Sequence, residues 1–263
     1  MQDRVFSLSD IPETPVIRMS TNIIALDAAY GLTIIKSQKG KPQITAGLPV
    51  GGISLWSGES GVGKTRVCIA IAAGMNALGY RILYIQAEVT PSQFKTWNME
   101  GVVNPKNFLI CDYTDFQEQI KAINFYKPHL VVVDSLNMIQ GHQSSNVIRS
   151  LMTSYKEVMG LVGGHLIAIS HLNKAGTVKG NNDVMYLCDI DCSLQRLAQF
   201  LTNEQKLAFS MVGRNAEAMF KIEFNKNRYG ATNYDGCQTY VCFQHTADGV
   251  EYVTSNLDPG PAR

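Results

Sequence analysis

Gly58-Glu59-Ser60-Gly61-Val62-Gly63-Lys64-Thr65 decides the fold, because it reads G-x-x-x-x-G-K-[ST]. Glycines let a backbone wrap closely around phosphate oxygens with its N–H groups turned inward. The loop feeds a helix N-terminus, which favours negative charge. The pattern places the Lys64 ammonium on β- and γ-phosphates and the Thr65 hydroxyl on Mg²⁺. Gly58, Glu59, Ser60, Gly61, Val62, Gly63, Lys64, Thr65 and Arg66 are therefore expected to cradle a nucleoside triphosphate, with ATP and Mg²⁺ as cofactors. The competing reading is a Gly-rich turn with a coincidental lysine. The apolar strand-like ISLWS before the loop and the helical spacing of Thr65–Leu78 after it argue against that reading.

Outward from the loop the text alternates. Arg81–Gln86, Phe108–Asp112, His129–Asp134 and His165–Ser170 read as strands. Pro91–Trp97, Asp115–Tyr126 and Asn146–Leu161 read as helices between them. Alternation with nearly continuous apolar strands predicts an α/β fold, a mostly parallel sheet covered by helices on both faces. Past residue 185, Tyr186–Leu194, Ala218–Asn225, Gln238–Gln244 and Gly249–Val253 look like strands joined by short turns, which predicts an antiparallel extension at the C-terminus. Upstream, Thr21–Tyr30 reads as a short helix and residues 32–47 as a hairpin turning near Lys39–Lys41. The expected organisation is an N-terminal arm over 1–20 and one domain over 21–263, with insertions near 32–47 and 195–216.

Several polar residues end these apolar strands. Asp134 closes LVVVD and is the candidate magnesium residue, partly through water; capping of the next helix, shared with Ser135, is the bland alternative. Glu88 follows RILYIQ, where a carboxylate sits in the crevice at the ends of parallel strands and can polarise an attacking water; a solvated loop acid is the bland alternative. Glu59 competes, but its place inside the phosphate loop suits it less. His171 follows HLIAIS and is placed to sense the γ-phosphate and relay its loss to the next loop; a histidine merely hydrogen-bonded at a strand end is the bland alternative. Asn173–Asp183 is rich in Gly and Asn and carries Lys174 and Lys179, a candidate DNA contact that could equally be a plain surface loop. Lys226-Asn227-Arg228-Tyr229-Gly230 is a compact basic turn, and a lone basic turn is usually a hairpin tip.

Composition narrows the partners. The chain has 263 residues and a formal net charge of +1, so any nucleic-acid contact requires local concentration of basic groups. No apolar run is long enough to span a membrane, and residues 1–15 lack a signal-peptide core. A cytoplasmic protein is expected. Cys188, Cys192, Cys237 and Cys242 lie in strand-like text, where Cys reads as a small hydrophobe rather than as a zinc ligand.

Taken together, these segments resemble the RecA-like ATPases, and among them the RadA/Sms recombination ATPases, then the DnaB-type helicases. GLPVGGISLWSGESGVGKT is similar to the family's strand and Walker A, RILYIQAE to the strand bearing its catalytic acid, and HLVVVDSLNMI to Walker B. HLIAISHLNKAGTVKG is similar to the sensor strand and DNA loop, and FNKNRYG to the K-N-R-[FY]-G signature. The resemblance, over roughly residues 20–255, implies catalytic roles for Lys64, Glu88 and His171, metal binding by Thr65 and Asp134, and DNA contact by Lys174 and Lys179. It implies that Lys226 and Arg228 reach ATP on a neighbouring subunit, as arginine fingers do. The four-cysteine zinc module and protease-like domain of RadA do not occur in this text, so the expectation is a stripped core.

Three functions compete. One is a ring-shaped motor, expected to be hexameric, that hydrolyses ATP on single-stranded DNA in recombination, repair or replication, alongside recombinase or replication proteins. The second is a filament-forming strand-exchange recombinase or mediator. The third is a regulatory ring ATPase that binds protein rather than DNA.

Overall fold

The computed structural model describes residues 7, 14–35, 43–97, 99, 102–140, 144–171, 183–211, 213–230, 232, 240–246 and 249–253. In chain order the elements are β1 (Arg18–Met19), α1 (Ile24–Tyr30), β2 (Leu32–Ile35), β3 (Gln43–Ala46), β4 (Leu48–Pro49), β5 (Ile53–Gly58), α2 (Lys64–Ala77), β6 (Ile82–Gln86) and α3 (Pro91–Lys95). There follow β7 (Phe108–Cys111), α4 (Phe116–Tyr126), β8 (Leu130–Asp134), α5 (Ser145–Val162), β9 (His165–His171), α6 (Asp183–Leu187), β10 (Ile190–Arg196), α7 (Asn203–Met211), β11 (Met219–Asn227), β12 (Tyr240–Thr246) and β13 (Gly249–Val253).

Among the described residues nine strands form one sheet in the order β13-β12-β11-β10-β5-β9-β8-β6-β7. From β10 to β7 every pairing is parallel; β11, β12 and β13 are antiparallel. Successive strand residues face opposite sides, and here both sides are buried. On one side Trp56, Tyr84, Val132, Ile167 and Ile190 pack with α2 residues such as Val67, Ile71 and Met75. On the other, Leu55, Ile85, Val133 and Ala168 pack with Ile123 of α4 and Leu151, Tyr155 and Met159 of α5. The two-sided burial explains the continuous apolar strands.

Helix signals hold where they are local. Asp115 caps α4 by accepting from Gln117 and Glu118 N–H, and Thr90 with Gln93 forms a capping box on α3. The β2–β3 pair is antiparallel, as the expected hairpin requires, while its turn at Lys39–Lys41 lies outside the described residues.

Two expectations need correction. Tyr186–Leu194 is not one strand: Tyr186 and Leu187 close the helix α6, and the strand begins at Ile190. Lys226 holds the end of that helix by donating to the carbonyls of Met185, Tyr186 and Cys188, a tertiary contact that overrides the strand-like composition. The antiparallel extension also begins later than expected, because β10 pairs parallel with β5 and only β11 reverses direction. Within 195–216, Leu197, Leu201, Phe209 and Ala216 gather with Met219 into a small cluster of their own.

Candidate functional site

The ends of β5, β6, β8 and β9 converge at one edge of the sheet, the crevice position for ligands in open parallel sheets. Gly61 and Gly63 adopt φ of 75° and 103°, the left-handed region that glycine tolerates without strain. A side chain at Gly58 would meet the Leu194 carbonyl at 2.7 Å, so β10 packs against the start of the loop too closely for any other residue. Lys64 is buried at the base of the loop and donates to the carbonyls of Gly58 and Glu59, each at 2.8 Å. Burial pulls its ammonium below the usual lysine range, while the negative charges of Asp134 and Glu88 oppose that shift. Glu59, Ser60 and Arg66 are exposed on the rim, and Val62 is buried beneath it.

Thr65 and Asp134, 69 positions apart, meet: the Thr65 hydroxyl donates to Asp134 Oδ2 at 2.7 Å. Tyr84 donates its phenol to the same oxygen at 3.0 Å. Burial pushes the Asp134 carboxyl up, and the hydrogen bonds from Thr65 and Tyr84 favour its ionised form. The donor set fits magnesium bound to a triphosphate. A hydroxyl and a carboxylate are hard oxygen ligands beside a lysine and a loop of backbone N–H groups.

Next to this pair, Glu88 Oε1 accepts from Ser135 Oγ at 2.9 Å and lies 3.1 Å from His171 Nε2. The His171 hydrogen bond holds the Glu88 carboxyl below its ordinary range, against the opposing effect of burial. The His171 backbone N–H donates to Asn137 Oδ1 at 3.0 Å, which ties β9 to the segment after β8. Glu88, Asp134, Ser135 and His171 thus form one polar row beside the phosphate loop.

The sequence brought Lys64, Thr65, Glu88, Asp134 and His171 forward, and the fold brings them together. Tyr84, Asn137 and Arg196 were missed, and Ser135 was read only as a cap. Arg196 closes β10 and donates to the Gly61 carbonyl at 3.2 Å. The signal for Tyr84 was a lone phenol in an apolar strand. Lys174 and Lys179 lie outside the described residues.

Lys226 and Arg228 lie elsewhere. Asn227 pairs with Ile190, which pairs with Ser54, so the basic turn sits at the opposite edge of the sheet from Gly58. Roughly 13 Å of strand separates Ser54 from Gly58. Arg228 pairs with Asp189 Oδ1 at 3.1 Å, an oxygen it shares with Lys156 at 2.6 Å, and Asp189 Oδ2 accepts from Ile53 N–H at 3.2 Å. Asn227 donates to the Tyr30 carbonyl at 3.1 Å.

The fold and the phosphate loop define a RecA-like P-loop architecture. In sequence the chain is similar to curated bacterial proteins named DNA repair protein RadA. It is 26% identical to that of Mycolicibacterium smegmatis over 219 residues, 79% of this chain and 42% of the relative. It is 22% identical to that of Bacillus subtilis over 211 residues, 77% of this chain and 42% of the relative. The chain thus spans less than half the length of these relatives. Among solved structures, the flagellar accessory protein FlaH from Methanocaldococcus jannaschii superposes with a TM-score of 0.58 at 16% identity, over 79% of this chain and 92% of that one. No family model matches the chain. Among the described residues, no helix is long and apolar enough to cross a membrane.

Proposed function

We propose that the chain binds ATP with magnesium at this edge and hydrolyses it as a motor on single-stranded DNA, in recombination, repair or replication. The observation that carries the proposal is the continuous row from Lys64 and Thr65 through Asp134 to Glu88 and His171, set beside the phosphate loop. Lys64 and the loop N–H groups hold the phosphates, and Thr65 and Asp134 hold the metal. The metal supplies charge neutralisation at the transferring phosphoryl group. Glu88, whose ionised form the hydrogen bond from His171 favours, accepts the proton of the attacking water. His171 senses the terminal phosphate through Glu88 and passes its state to the segment after β9.

DNA enters the proposal through the relatives' name, DNA repair protein RadA. Arg228 lies at the far edge from its own phosphate loop, so any action on triphosphate must be on another copy. This supports sites shared between subunits, in a ring, which we take as a hexamer, or in a filament. A near-neutral net charge of +1 favours a second reading, a regulatory ATPase ring that binds protein. Steady-state ATP turnover with and without single-stranded DNA, at low and moderate salt, separates the two. Strong, salt-sensitive stimulation is expected. Good basal turnover that ignores DNA would overturn the motor and favour the regulatory ring.

A further inference from the structure

Asp134 is buried, and both of its side-chain hydrogen bonds described above fall on Oδ2, one from Thr65 and one from Tyr84. Tyr84 is not a metal ligand in any reading of the sequence. It lies on β6 opposite Val132 of β8, two residues before the Gln86–Asp134 pair. On one face of a sheet, a diagonal neighbour at that offset is within reach of an aromatic side chain. The phenol therefore crosses to the neighbouring strand and reaches Asp134 along the face of the sheet that α2 covers. Its ring is fully buried, 4.7 Å from the Phe94 ring and stacked 6.5 Å from that of Phe108. Full burial between these rings restricts how the phenol can turn. A phenylalanine would fill the same space without burying a hydroxyl, so the hydroxyl calls for an explanation beyond packing.

We propose that Tyr84 is a positioning residue for the magnesium site, holding the Asp134 carboxylate in the orientation that receives the metal. The proposal rests on the reading of Thr65 and Asp134 as the metal's residues. Groups that orient a metal ligand from behind commonly change metal affinity by 10- to 100-fold when lost. Asp134 could in principle be held by Thr65 alone. Thr65, however, is half-buried at the start of α2 next to the phosphate loop, whereas Tyr84 is fully buried in the sheet core.

The test is Tyr84→Phe, read by titrating a fluorescent ATP analogue across magnesium concentrations and again in EDTA, with thermal denaturation alongside. The expected result is a rise of about tenfold in the magnesium needed for half-maximal tight binding, with binding in EDTA unchanged. An unchanged magnesium requirement, or equal weakening with and without metal, would overturn the proposal and leave Tyr84 a packing residue. Asp134→Asn is measured in parallel. If it too leaves the magnesium requirement unchanged, the metal reading of Asp134 itself fails, whatever Tyr84→Phe shows.

Discussion

The two edges of the sheet handle their charges differently. At the phosphate-loop edge, polar groups from the start of α2 and from the ends of β6, β8 and β9 or just beyond them bond chiefly to one another and to loop carbonyls: Lys64 to Gly58 and Glu59, Thr65 to Asp134, Ser135 and His171 to Glu88. At the opposite edge the cations are bound to the scaffold. Lys226 is spent on three carbonyls at the end of α6, and Arg228 is tied to Asp189, a carboxylate whose side chain is 1% exposed. Asp189 also grips the first N–H of β5, the strand that leads into the phosphate loop. A basic motif at a sheet edge is thus two things at once: a piece of architecture in its own chain and a candidate tool for another. The contrast teaches that a lysine fully engaged by carbonyls, such as Lys226, is a weaker candidate for action in trans than Arg228, whose side chain remains 51% exposed.

The largest expected effect breaks or keeps that contrast. Arg228→Ala should lower DNA-stimulated ATP turnover by roughly 10³-fold, the low end for an arginine finger. ATP binding should stay nearly intact, and stability should fall by no more than about 1 kcal/mol, since the guanidinium is half exposed and Lys156 still pairs with the Asp189 carboxylate. Normal turnover in Arg228→Ala, with only the stability change, would make the far edge purely structural. A second, smaller effect tests the anchor beneath it. Asp189→Ala strips the Ile53 N–H and two cations of one buried acceptor. It should cost about 2 kcal/mol in urea denaturation, discounted from the value for fully buried pairs because both cations are partly exposed. A loss comparable to that of Arg228→Ala alone would show that Asp189 does no more than pair with arginine.

The phosphate-loop side of this contrast is legible in the sequence and the opposite side is not, for physical reasons. The phosphate loop, the alternating elements and the acids at strand ends were legible because their signals are local: glycine conformations, apolar periodicity and capping residues. The direction of β10 was not, because parallel and antiparallel strands have similar composition and the difference lies in the crossover that precedes them. The helix α6 was missed because its five residues have no internal periodicity and are held by Lys226, distant in sequence. Tyr84 looked like core because nothing local shows which acceptor its hydroxyl will find. Asp189 was not singled out, because its partners Ile53, Lys156 and Arg228 are brought together only by the fold.

The smallest effect concerns pH at the phosphate-loop edge. A general base works when deprotonated, so the acid limb of ATP turnover follows the Glu88 carboxyl. The His171 hydrogen bond holds that carboxyl below its ordinary range, so the acid limb should lie lower than an ordinary glutamate would give. In His171→Gln the imidazole hydrogen bond is lost, so the limb should move up toward the ordinary glutamate range, with turnover near neutral pH reduced far less than by Glu88→Gln, which should remove the base altogether. The same sign governs folding. A carboxyl whose folded value is depressed contributes stability that is present above its unfolded value and lost as pH falls through the folded value. That contribution is small here, because Glu88 is 38% exposed. A limb that stays in place in His171→Gln would mean that His171 does not tune Glu88, and that the row beside the phosphate loop ends at Ser135.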